Sequence, residues 1–270
     1  MIITSFTNPK VKAIRKLSGK KYRDTSGTFF IEGLRTVGEA VQTGAPIQSL
    51  VIAPDLLVSE FGQSLLVHPG INDVEKVEVS AEIYEKIAHK DGPQGIGAVM
   101  RQNWHSFKEL NINHTDLWVA LDRIADPGNL GTIMRTADAV GCRGVILLGP
   151  STDPHDPTAV KASMGSIFSL ELIKSDWTAF RTWQLESQVM LVGTSDRAVK
   201  DYQSVSYQRP LVLLMGSERH GLPDDMINAC DSLVRIPMAG RADSLNLAVA
   251  TAIVLYEIFN QTKNFDTIKP

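Results

Sequence analysis

The chain has 270 residues, of which 43% are hydrophobic and 21% are charged, and its formal net charge is −3 at pH 7. This composition is typical of a soluble globular protein, and the length is sufficient for two domains. No run approaches the roughly 18 apolar residues of a membrane span, and the start MIITSFTNPK lacks the apolar core of a secretory signal, so we expect a cytoplasmic protein without membrane partners.

The amino terminus is strongly basic although the whole chain is slightly acidic. Seven basic side chains precede the first acidic residue, Asp24. These are Lys10, Lys12, Arg15, Lys16, Lys20, Lys21 and Arg23. Such a run can neutralise nucleic-acid phosphates and release their counterions. A solvated helical face is the alternative explanation, and the run alone does not decide between them.

Short β-branched runs and helical patterns alternate through the first hundred residues. Residues 47–53, 77–79 and 96–100 predict strands, and the stretches GLRTVGEAVQTG and SAEIYEKIAHK predict helices. This order predicts a small α/β domain over residues 1–105. The polar segment RQNWHSFKELNINHTD interrupts the pattern and predicts a linker over residues 106–115.

A second series of strands and helices is predicted over residues 116–270. Its strand candidates are LWVALD, GVILLG, FSLELI, VMLVGT, LVLLM and LVRI. Largely apolar runs separated by helices are typical of parallel strands that are covered on both faces. The sequence therefore predicts an α/β domain with a parallel sheet. We expect functional residues beyond the carboxyl ends of its strands.

Several common catalytic and binding patterns are absent from the sequence. There is no GxxxxGK[ST] phosphate loop, no GxGxxG dinucleotide fingerprint and no GxSxG nucleophile turn. Cys142 and Cys230 lack partners at disulfide or metal spacing, so we expect both to be packing residues. The six histidines are scattered, and we expect no metal site.

The segment ALDRIADPGNLGTIMRTADAVG joins a strand to a helix that we expect to begin near Leu130. Asn129 lies at this helix start, where an N-cap role would explain it without any function. Arg135 lies about two turns further on, on a helix face otherwise suited to close packing. A guanidinium there is costly unless it points into a polar site, so Arg135 is a candidate functional residue.

Two further strand ends carry polar residues. LVLLMGSERHGLP runs from a strand into Gly216 and Glu218, although a plain glycine turn explains this segment equally well. RIPMAGRADSLNLAVATAIVLYEI runs from a strand through a tight turn into an apolar helix. We expect Ser244 to cap that helix and Asn246 to project from its first turn. Polar residues at three strand ends of one sheet predict a functional site.

These three segments resemble motifs one, two and three of the SpoU subgroup of the SPOUT superfamily, also called the TrmH family. Its members are S-adenosylmethionine-dependent RNA ribose 2′-O-methyltransferases. The resemblance covers residues 116–260 and rests on NLGTIMRTADAVG, LLMGSERHGLP and IPMAGRADSLNLAVATAIVLYE. Residues 1–105 resemble, more loosely, the small L30e-like substrate-binding domain of such enzymes, through EGLRTVGEAVQTG and PQGIGAVMR.

The resemblance implies a carboxyl-terminal parallel-sheet α/β domain with a deep trefoil knot, preceded by a small α/β, L30e-like RNA-binding domain. It also implies that S-adenosyl-L-methionine is the cofactor. Three residues match cofactor-contacting positions of the family, namely Gly216, Ile236 and Leu245. Two more, Thr194 and Met238, are expected to line the same pocket.

The expected catalytic residues follow from the same resemblance. They are Asn129, Arg135, Glu218, Ser244 and Asn246, with Arg135 as the central one. A guanidinium pKa above about 12 disfavours Arg135 as a base. We expect it instead to bind the neighbouring phosphate and to stabilise the developing alkoxide. The identity of the general base stays open.

The family works as a homodimer, in which the arginine of one subunit approaches the cofactor pocket of the other. With an RNA substrate implied, the basic amino-terminal run becomes a predicted RNA contact. The expected RNA-binding residues are Lys10, Lys12, Arg15, Lys16, Lys20, Lys21, Arg23 and Arg35. Ribosomal RNA is the expected substrate, because a separate amino-terminal substrate domain accompanies many rRNA-specific members.

Three alternative functions stay open. The substrate could be tRNA, the protein could bind RNA without modifying it, or the methyl group could go to a base nitrogen. The complete set of five catalytic positions disfavours a non-catalytic protein, and the pieces NLGTIMRTA and SLN fit ribose methylation better than base methylation. The methylated nucleotide, and whether its role is housekeeping or antibiotic resistance, also stay open.

Overall fold

The computed structural model of the protein describes residues 1–88 and 92–262. The chain divides into two compact units. The first comprises Met1–Asn103 and Asp153–Ser169, and the second comprises Trp104–Thr152 and Leu170–Pro270. Within the described ranges, no helix is both long enough and apolar enough to span a membrane.

Helices and strands alternate through the amino-terminal hundred residues. The helices are α1 (Pro9–Lys16), α2 (Lys20–Ser26), α3 (Leu34–Gln42), α4 (Glu60–Leu65) and α5 (Ala81–Ile87), with a 3-10 turn at Pro69–Ile71. The strands are β1 (Thr28–Glu32), β2 (Ile47–Ile52), β3 (Glu75–Glu78) and β4 (Ile96–Arg101).

The rest of the chain contains eight further strands and five further helices in its described part. The strands are β5 (Trp104–His105), β6 (Leu117–Asp122), β7 (Gly144–Leu148), β8 (Glu171–Ser175), β9 (Met190–Thr194), β10 (Lys200–Asp201), β11 (Leu211–Met215) and β12 (Ser232–Arg235). The helices are α6 (Pro127–Ala139), α7 (Pro157–Ser163), α8 (Trp177–Glu186), α9 (Asp224–Ala229) and α10 (Leu247–Thr262). Short 3-10 turns lie at Phe107–Glu109, Ser166–Phe168 and Tyr202–Ser204.

The first unit contains a four-stranded sheet in the order β1-β4-β2-β3. β4 runs antiparallel to β1 and β2, and β2 runs parallel to β3. Apolar residues of α1 and α5, such as Val11 and Ile83, form one core cluster with Val51 and Val99 of the sheet. The predicted small α/β architecture is confirmed, with apolar helix residues packed on the sheet.

The segment Asp153–Ser169 belongs to the first unit although it follows β7 in the chain. Arg23, on α2, holds the segment through two carboxylates. Its Nε donates to Asp153 Oδ2 at 2.8 Å, and its Nη2 donates to Asp156 Oδ2 at 3.3 Å. Arg23 is only 1% exposed, so its predicted contact with RNA is wrong. Its charge neutralises protein carboxylates rather than phosphates.

The second unit contains an eight-stranded sheet in the order β10-β12-β9-β11-β6-β7-β8-β5. All of its strand pairs are parallel, which confirms the predicted parallel-sheet fold. Its core includes the buried residues Trp118, Ile146, Leu191 and Val212. Because all strands point the same way, β6, β9, β11 and β12 end at one edge of the sheet. The trefoil knot stays a prediction.

Residues 104–115 fold together with the second unit. β5 pairs with β8, and Phe107, Leu110 and Ile112 pack against the core of the second sheet. The stretch predicted as a linker thus contributes apolar side chains to a core. The predicted domain ranges 1–105 and 116–270 stay predictions.

Candidate functional site

Two cavities open at the edge of the second sheet where β6, β9, β11 and β12 end. The first, of about 380 Å³, lies beside the start of α10, and we call it the glycine cavity after Gly216. All five predicted cofactor residues line it: Thr194, Gly216, Ile236, Met238 and Leu245. The second, of about 910 Å³, lies beside the start of α6, and we call it the asparagine cavity after Asn129 and Asn246. The two share one wall, Ser217 to His220.

Gly216 follows β11 at a point where the chain folds back on itself. A Cβ there would lie 2.1 Å from the carbonyl carbon of Gly221 and 2.3 Å from the nitrogen of Leu222. Ser217 and Gly221 close the turn with two backbone hydrogen bonds, of 3.2 and 3.0 Å. Only glycine fits such a close backbone approach. The segment is a glycine turn, as the simpler explanation had it, and that turn also forms a cavity wall.

Glu218 connects this turn to the start of α6. Its carboxylate accepts hydrogen bonds from the backbone N–H groups of Ala125 and Asp126, both at 3.2 Å, and from Asn129 Nδ2 at 3.3 Å. Partial burial acts to raise the pKa of Glu218, but hydrogen bonds from backbone N–H groups and from Asn129 outweigh it and lower the pKa below its ordinary value. Glu218 is therefore ionised at neutral pH and acts only as an acceptor.

The start of α6 differs from the prediction. The helix begins at Pro127 rather than near Leu130, and Asp126 is its N-cap, with Oδ1 accepting from the backbone nitrogen of Asn129 at 2.7 Å. The N-cap explanation of Asn129 is therefore wrong. The sequence held the correct signal, since an aspartate directly before a proline is a common helix start. The Asn129 side chain is left for other contacts.

The start of α10 also differs from the prediction. Asn246, and not Ser244, caps this helix: its Oδ1 accepts from the backbone nitrogens of Ala248 at 2.9 Å and Val249 at 3.3 Å. Ser244 lies two residues earlier, is exposed and lines the glycine cavity. The other side-chain atom of Asn246, Nδ2, donates to Asn129 Oδ1 at 2.9 Å.

Asn246, Asn129 and Glu218 thus form a chain of hydrogen bonds that joins all three polar strand ends. The direction of each bond is fixed by chemistry. An ionised Glu218 can only accept, so Asn129 must turn its NH₂ group towards it and its oxygen towards Asn246. Asn246 must then donate to Asn129 and accept from the helix N–H groups. Neither amide can flip without placing two oxygens face to face.

Arg135 takes no part in this chain of hydrogen bonds. It is exposed on α6 and lines neither cavity. The guanidinium of Arg135 is therefore not buried within one protomer, and the free-energy cost of burying it does not arise there. Among the described residues, Arg135 has no salt-bridge partner. The structure brings Asn129, Glu218 and Asn246 together, places Ser244 in the adjoining cavity, and leaves Arg135 on the surface.

Three basic residues of the asparagine cavity were missed by sequence reasoning. Arg123, Arg219 and His220 all line it. Arg123 directly follows β6 and has a positive φ of 49°. It forms an ion pair with the buried Asp122, with its Nη2 at 2.9 Å from Asp122 Oδ2. A positive φ is uncommon for a residue other than glycine. The signal available was the run of charged residues in GSERHG and at the end of LWVALDR.

The predicted RNA-binding cations other than Arg23 are exposed. Four lie on α1, two on α2 and one on α3: Lys10, Lys12, Arg15, Lys16, Lys20, Lys21 and Arg35. Lys10 forms an ion pair with Glu75, and Lys20 forms one with Asp24 at 2.6 Å. Their contact with RNA stays a prediction.

Comparison with known proteins gives matches over nearly the whole chain. Residues 116–256 match the SpoU rRNA Methylase family, and residues 8–98 match the MRM3-like substrate binding domain. A 23S rRNA (uridine(2479)-2′-O)-methyltransferase from Streptomyces viridochromogenes is 31% identical over 91% of this chain and 87% of its own. The 23S rRNA (guanosine(2553)-2′-O)-methyltransferase RlmP of Bacillus subtilis is 27% identical over 95% of this chain and 98% of its own.

The solved structures agree with these matches. An AdoMet-bound rRNA methyltransferase from Sinorhizobium meliloti has a TM-score of 0.88 at 39% identity and covers 96% of this chain and 97% of its own. The family match spans more than half of the chain, and the resemblance in its three motifs is confirmed. The chain therefore belongs to the SpoU rRNA methylase family.

Proposed function

We propose that the protein transfers the methyl group of S-adenosylmethionine to a ribose 2′-hydroxyl of structured RNA, with ribosomal RNA as the substrate. Family membership and the names of the relatives support the reaction and the substrate class. The observation that carries the proposal is the hydrogen-bond chain Asn246–Asn129–Glu218, which lines the asparagine cavity and reaches the glycine cavity through Glu218. These three side chains are fixed hydrogen-bonding groups beside a cavity that is large enough for a small molecule.

The residues of the glycine cavity fit S-adenosylmethionine. Its volume lies within the ~300–1,000 Å³ of small-molecule sites. Ile236, Met238 and Leu245 provide apolar surface for an adenine ring, and the close backbone approach at Gly216 presents peptide groups that can bind the ring edge. When bound, the cofactor supplies a methyl group on a positively charged sulfur, which is an activated electrophile.

The asparagine cavity is the place where we put the target ribose. It shares the wall Ser217 to His220 with the glycine cavity, so a sugar there would face the cofactor. In-line positioning is worth roughly 7 to 11 kcal/mol of barrier, more than the 10²- to 10⁴-fold of a general base. We assign Glu218 to positioning, because an ionised carboxylate with a lowered pKa is a weak base. It holds Asn129, and Asn129 and Asn246 orient the sugar.

Arg135 would act across a homodimer. We assign to it the phosphate next to the target sugar and the alkoxide that develops when the hydroxyl loses its proton. Its exposure on α6, away from both cavities of its own chain, supports action on the cavity of a second protomer. The exposed Val249 and Tyr256 of α10 supply apolar surface for such an interface. A planar guanidinium can contact both phosphate and alkoxide oxygens.

Ribosomal RNA is favoured over tRNA because relatives that match almost the entire chain are named for 23S rRNA. The exposed cations of α1 and α2, together with Arg35, are assigned to its phosphates. The protein would then act in the cytoplasm, where bacterial ribosomes are made.

The test is methyl transfer to purified RNA. The protein is incubated with methyl-labelled S-adenosylmethionine and either ribosomal or transfer RNA lacking natural modifications. We expect label in ribosomal RNA, at one nucleotide whose 3′ bond resists alkaline cleavage. Label in a base, with alkaline cleavage unchanged, would overturn ribose methylation. Cofactor binding without any transfer would identify an RNA-binding protein of the same fold.

A further inference from the structure

A third cavity, of about 410 Å³, lies wholly within the first unit. We call it the α7 cavity, because α7 forms one of its walls. The rest of its lining comes from the stretch between the end of β1 and the start of α3, together with Gln94. Most of the lining is apolar: Phe30, Ile31, Leu34, Pro157, Val160 and Met164. None of the predicted cofactor or catalytic residues takes part in it.

The α7 wall is fixed at both ends. At its start, Asp156 caps α7 by accepting from the backbone nitrogen of Thr158 at 2.9 Å, and the buried Arg23 holds both Asp156 and Asp153. At its end, Gly165 has a φ of +101°, and a Cβ there would lie 2.8 Å from Cγ of Glu39 on α3. The cavity is therefore preformed.

Five polar side chains line the α7 cavity: Glu32, Arg35, Thr36, Gln94 and Lys161. Gln94 accepts a hydrogen bond from the backbone nitrogen of Leu34 through Oε1 at 3.2 Å. This bond leaves the NH₂ group of Gln94 as a donor, with no acceptor among the described residues. Arg35 of α3 and Lys161 of α7 also line the cavity, and both are exposed. Neither has a salt-bridge partner among residues 1–88 and 92–262.

We propose that the α7 cavity receives one unpaired nucleobase of the RNA substrate, while Arg35 and Lys161 bind the phosphates on either side of it. The proposal rests on the proposed function and extends it to substrate recognition. Proteins that read RNA sequence insert unstacked bases into apolar pockets and bind their edges by hydrogen bonds. Phosphate contacts then hold the register.

The chemistry of the cavity favours this ligand over others. Apolar walls with the aromatic ring of Phe30 suit the faces of a base, and the fixed amide of Gln94 suits its edge. The two cations come from different segments of the chain and outnumber the one carboxylate of the lining, Glu32, which suits a ligand with two phosphates. An acyl chain would gain nothing from the amide or from the cations, and a free mononucleotide would use only one of the two charges.

The test uses the full-length protein, without cofactor, and an RNA hairpin that carries a single bulged 4-thiouridine. A hairpin with the same stem and no bulge is the paired control. We expect the bulged hairpin to bind about tenfold more tightly than the paired one, since burying one base on apolar and aromatic surface has an effect of that size. Ultraviolet crosslinks should map to residues 28–36 and 157–164.

Two sets of variants make the test specific. Arg35→Ala with Lys161→Ala removes the cations, and Thr36→Phe fills the cavity without changing charge, because Thr36 lines it. Both should abolish the preference for the bulged hairpin. The control, Lys108→Ala with Lys174→Ala, removes two exposed cations elsewhere and should keep the preference. Thermal melting checks that each variant is folded.

Three results would overturn the proposal. These are crosslinks confined to other peptides, an unchanged preference in the folded Arg35→Ala/Lys161→Ala variant, or displacement of the hairpin by uridine monophosphate at equal affinity. Methyl transfer by the unaltered protein is measured separately. If transfer occurs but the crosslinks lie elsewhere, only the α7 cavity proposal fails. If the crosslinks map to it without transfer, only the methyltransferase proposal fails.

Discussion

Asn246 and Asn129 lie 117 positions apart in the chain, and Asn246 Nδ2 donates to Asn129 Oδ1 at 2.9 Å. The same Asn246 side chain caps α10 through its oxygen. One amide therefore fixes the start of a helix and the orientation of a neighbouring polar side chain. The helix cap and the hydrogen bond to Asn129 can be separated at this residue, because each depends on a different atom.

The Asn246→Asp variant should keep the cap of α10 and lose the hydrogen bond to Asn129. A carboxylate still accepts from the N–H groups of Ala248 and Val249, and its charge suits a helix start. It cannot donate to Asn129, and either orientation of the Asn129 amide then places two oxygens face to face. We expect an unchanged melting temperature and a fall in kcat of about 10²-fold, the size that a small misplacement of reacting groups produces.

Two comparisons accompany this variant. Asn246→Ala removes both the helix cap and the hydrogen bond to Asn129. Its kcat should fall as much as that of Asn246→Asp, and its free energy of unfolding should fall by about 1 kcal/mol as well. Asn228→Asp makes the same change at an exposed position on α9 and should alter neither. Wild-type kcat in Asn246→Asp would show that the hydrogen-bond chain has no part in the reaction.

Mixing two inactive variants tests whether Arg135 acts across a dimer. Arg135→Ala removes the guanidinium, and Leu245→Glu puts a charge into the glycine cavity, which Leu245 lines. In a mixed dimer, the intact cavity of one protomer faces the intact arginine of the other. We expect about a quarter of the wild-type activity from an equal mixture, because half of the dimers are mixed and each has one complete site.

Each variant alone should be inactive. A mixture that also stays inactive, although mass spectrometry shows mixed dimers, would place Arg135 and its cavity in the same protomer. Arg135→Lys is the matched substitution: it keeps the charge but loses the planar fork, so we expect most of the activity to be lost. Near-normal turnover by the lysine variant would rule out the geometric role of the guanidinium.

The salt dependence of RNA binding tests the cations of α1 and α2. Lys12, Arg15 and Lys21 are exposed, and none has a salt-bridge partner in the described part of the chain. Affinity falls as salt rises, and changing all three to Gln should make this fall shallower. The slope of log affinity against log salt should shrink in magnitude by about two, because each neutralised phosphate contributes about 0.7–0.9 to it. Changing Lys108, Lys174 and Lys200 to Gln should leave the slope as it was. Equal slopes in both triple variants would exclude the amino-terminal helices as an RNA contact.

Arg23→Ala should destabilise the first unit without changing that slope. It leaves Asp153 and Asp156 without their counter-ion, and the loss of one partner of a buried ion pair typically costs about 3–5 kcal/mol. The exposed Arg15→Ala on α1 is the control and should unfold as the wild type does. Urea unfolding followed by circular dichroism measures both. A loss below about 1 kcal/mol would contradict the buried ion pair.

The same ion pair predicts how stability depends on pH. Burial acts to raise the pKa of Asp153, but hydrogen bonds from His155 and Arg23 outweigh it and lower the pKa below its ordinary value of 3.8. A carboxylate with a lowered pKa stabilises the fold above its ordinary pKa and loses that effect as the pH falls. The wild type should therefore lose this stability only below pH 3.8. In Arg23→Ala the guanidinium no longer holds the pKa of Asp153 down, so the loss of stability in acid should be smaller and should be complete at a higher pH than in the wild type.

The fold and the place of the site could be predicted because each depends on local patterns. Apolar runs separated by helices specify parallel strands, and parallel strands must end at one edge. Polar residues after β6, β11 and β12 were therefore expected to meet, and Asn129, Glu218 and Asn246 do. The burial of Cys142 also agrees with the prediction that it is a packing residue.

The predictions that failed depended on contacts between distant residues. Arg23 belongs to a basic run by sequence, yet its carboxylate partners lie 130 and 133 positions away. Ser244 and Asn246 are both good capping residues, and only the meeting of Asn246 with Asn129 decides which one is used. The catalytic role of Arg135 stays a prediction, because whether its helix face is covered by another protomer depends on packing that no periodicity shows.

The chain passes between its two compact units three times, after Asn103, Thr152 and Ser169. A fragment cut after residue 103 would lack the helix that supplies the acidic partners of Arg23, and it would expose an unneutralised guanidinium in an apolar setting. The amino-terminal part is thus not an independent module that recombination could exchange by one crossover. A crossover that exchanged the whole first unit would also have to carry residues 153–169, the segment that returns to it.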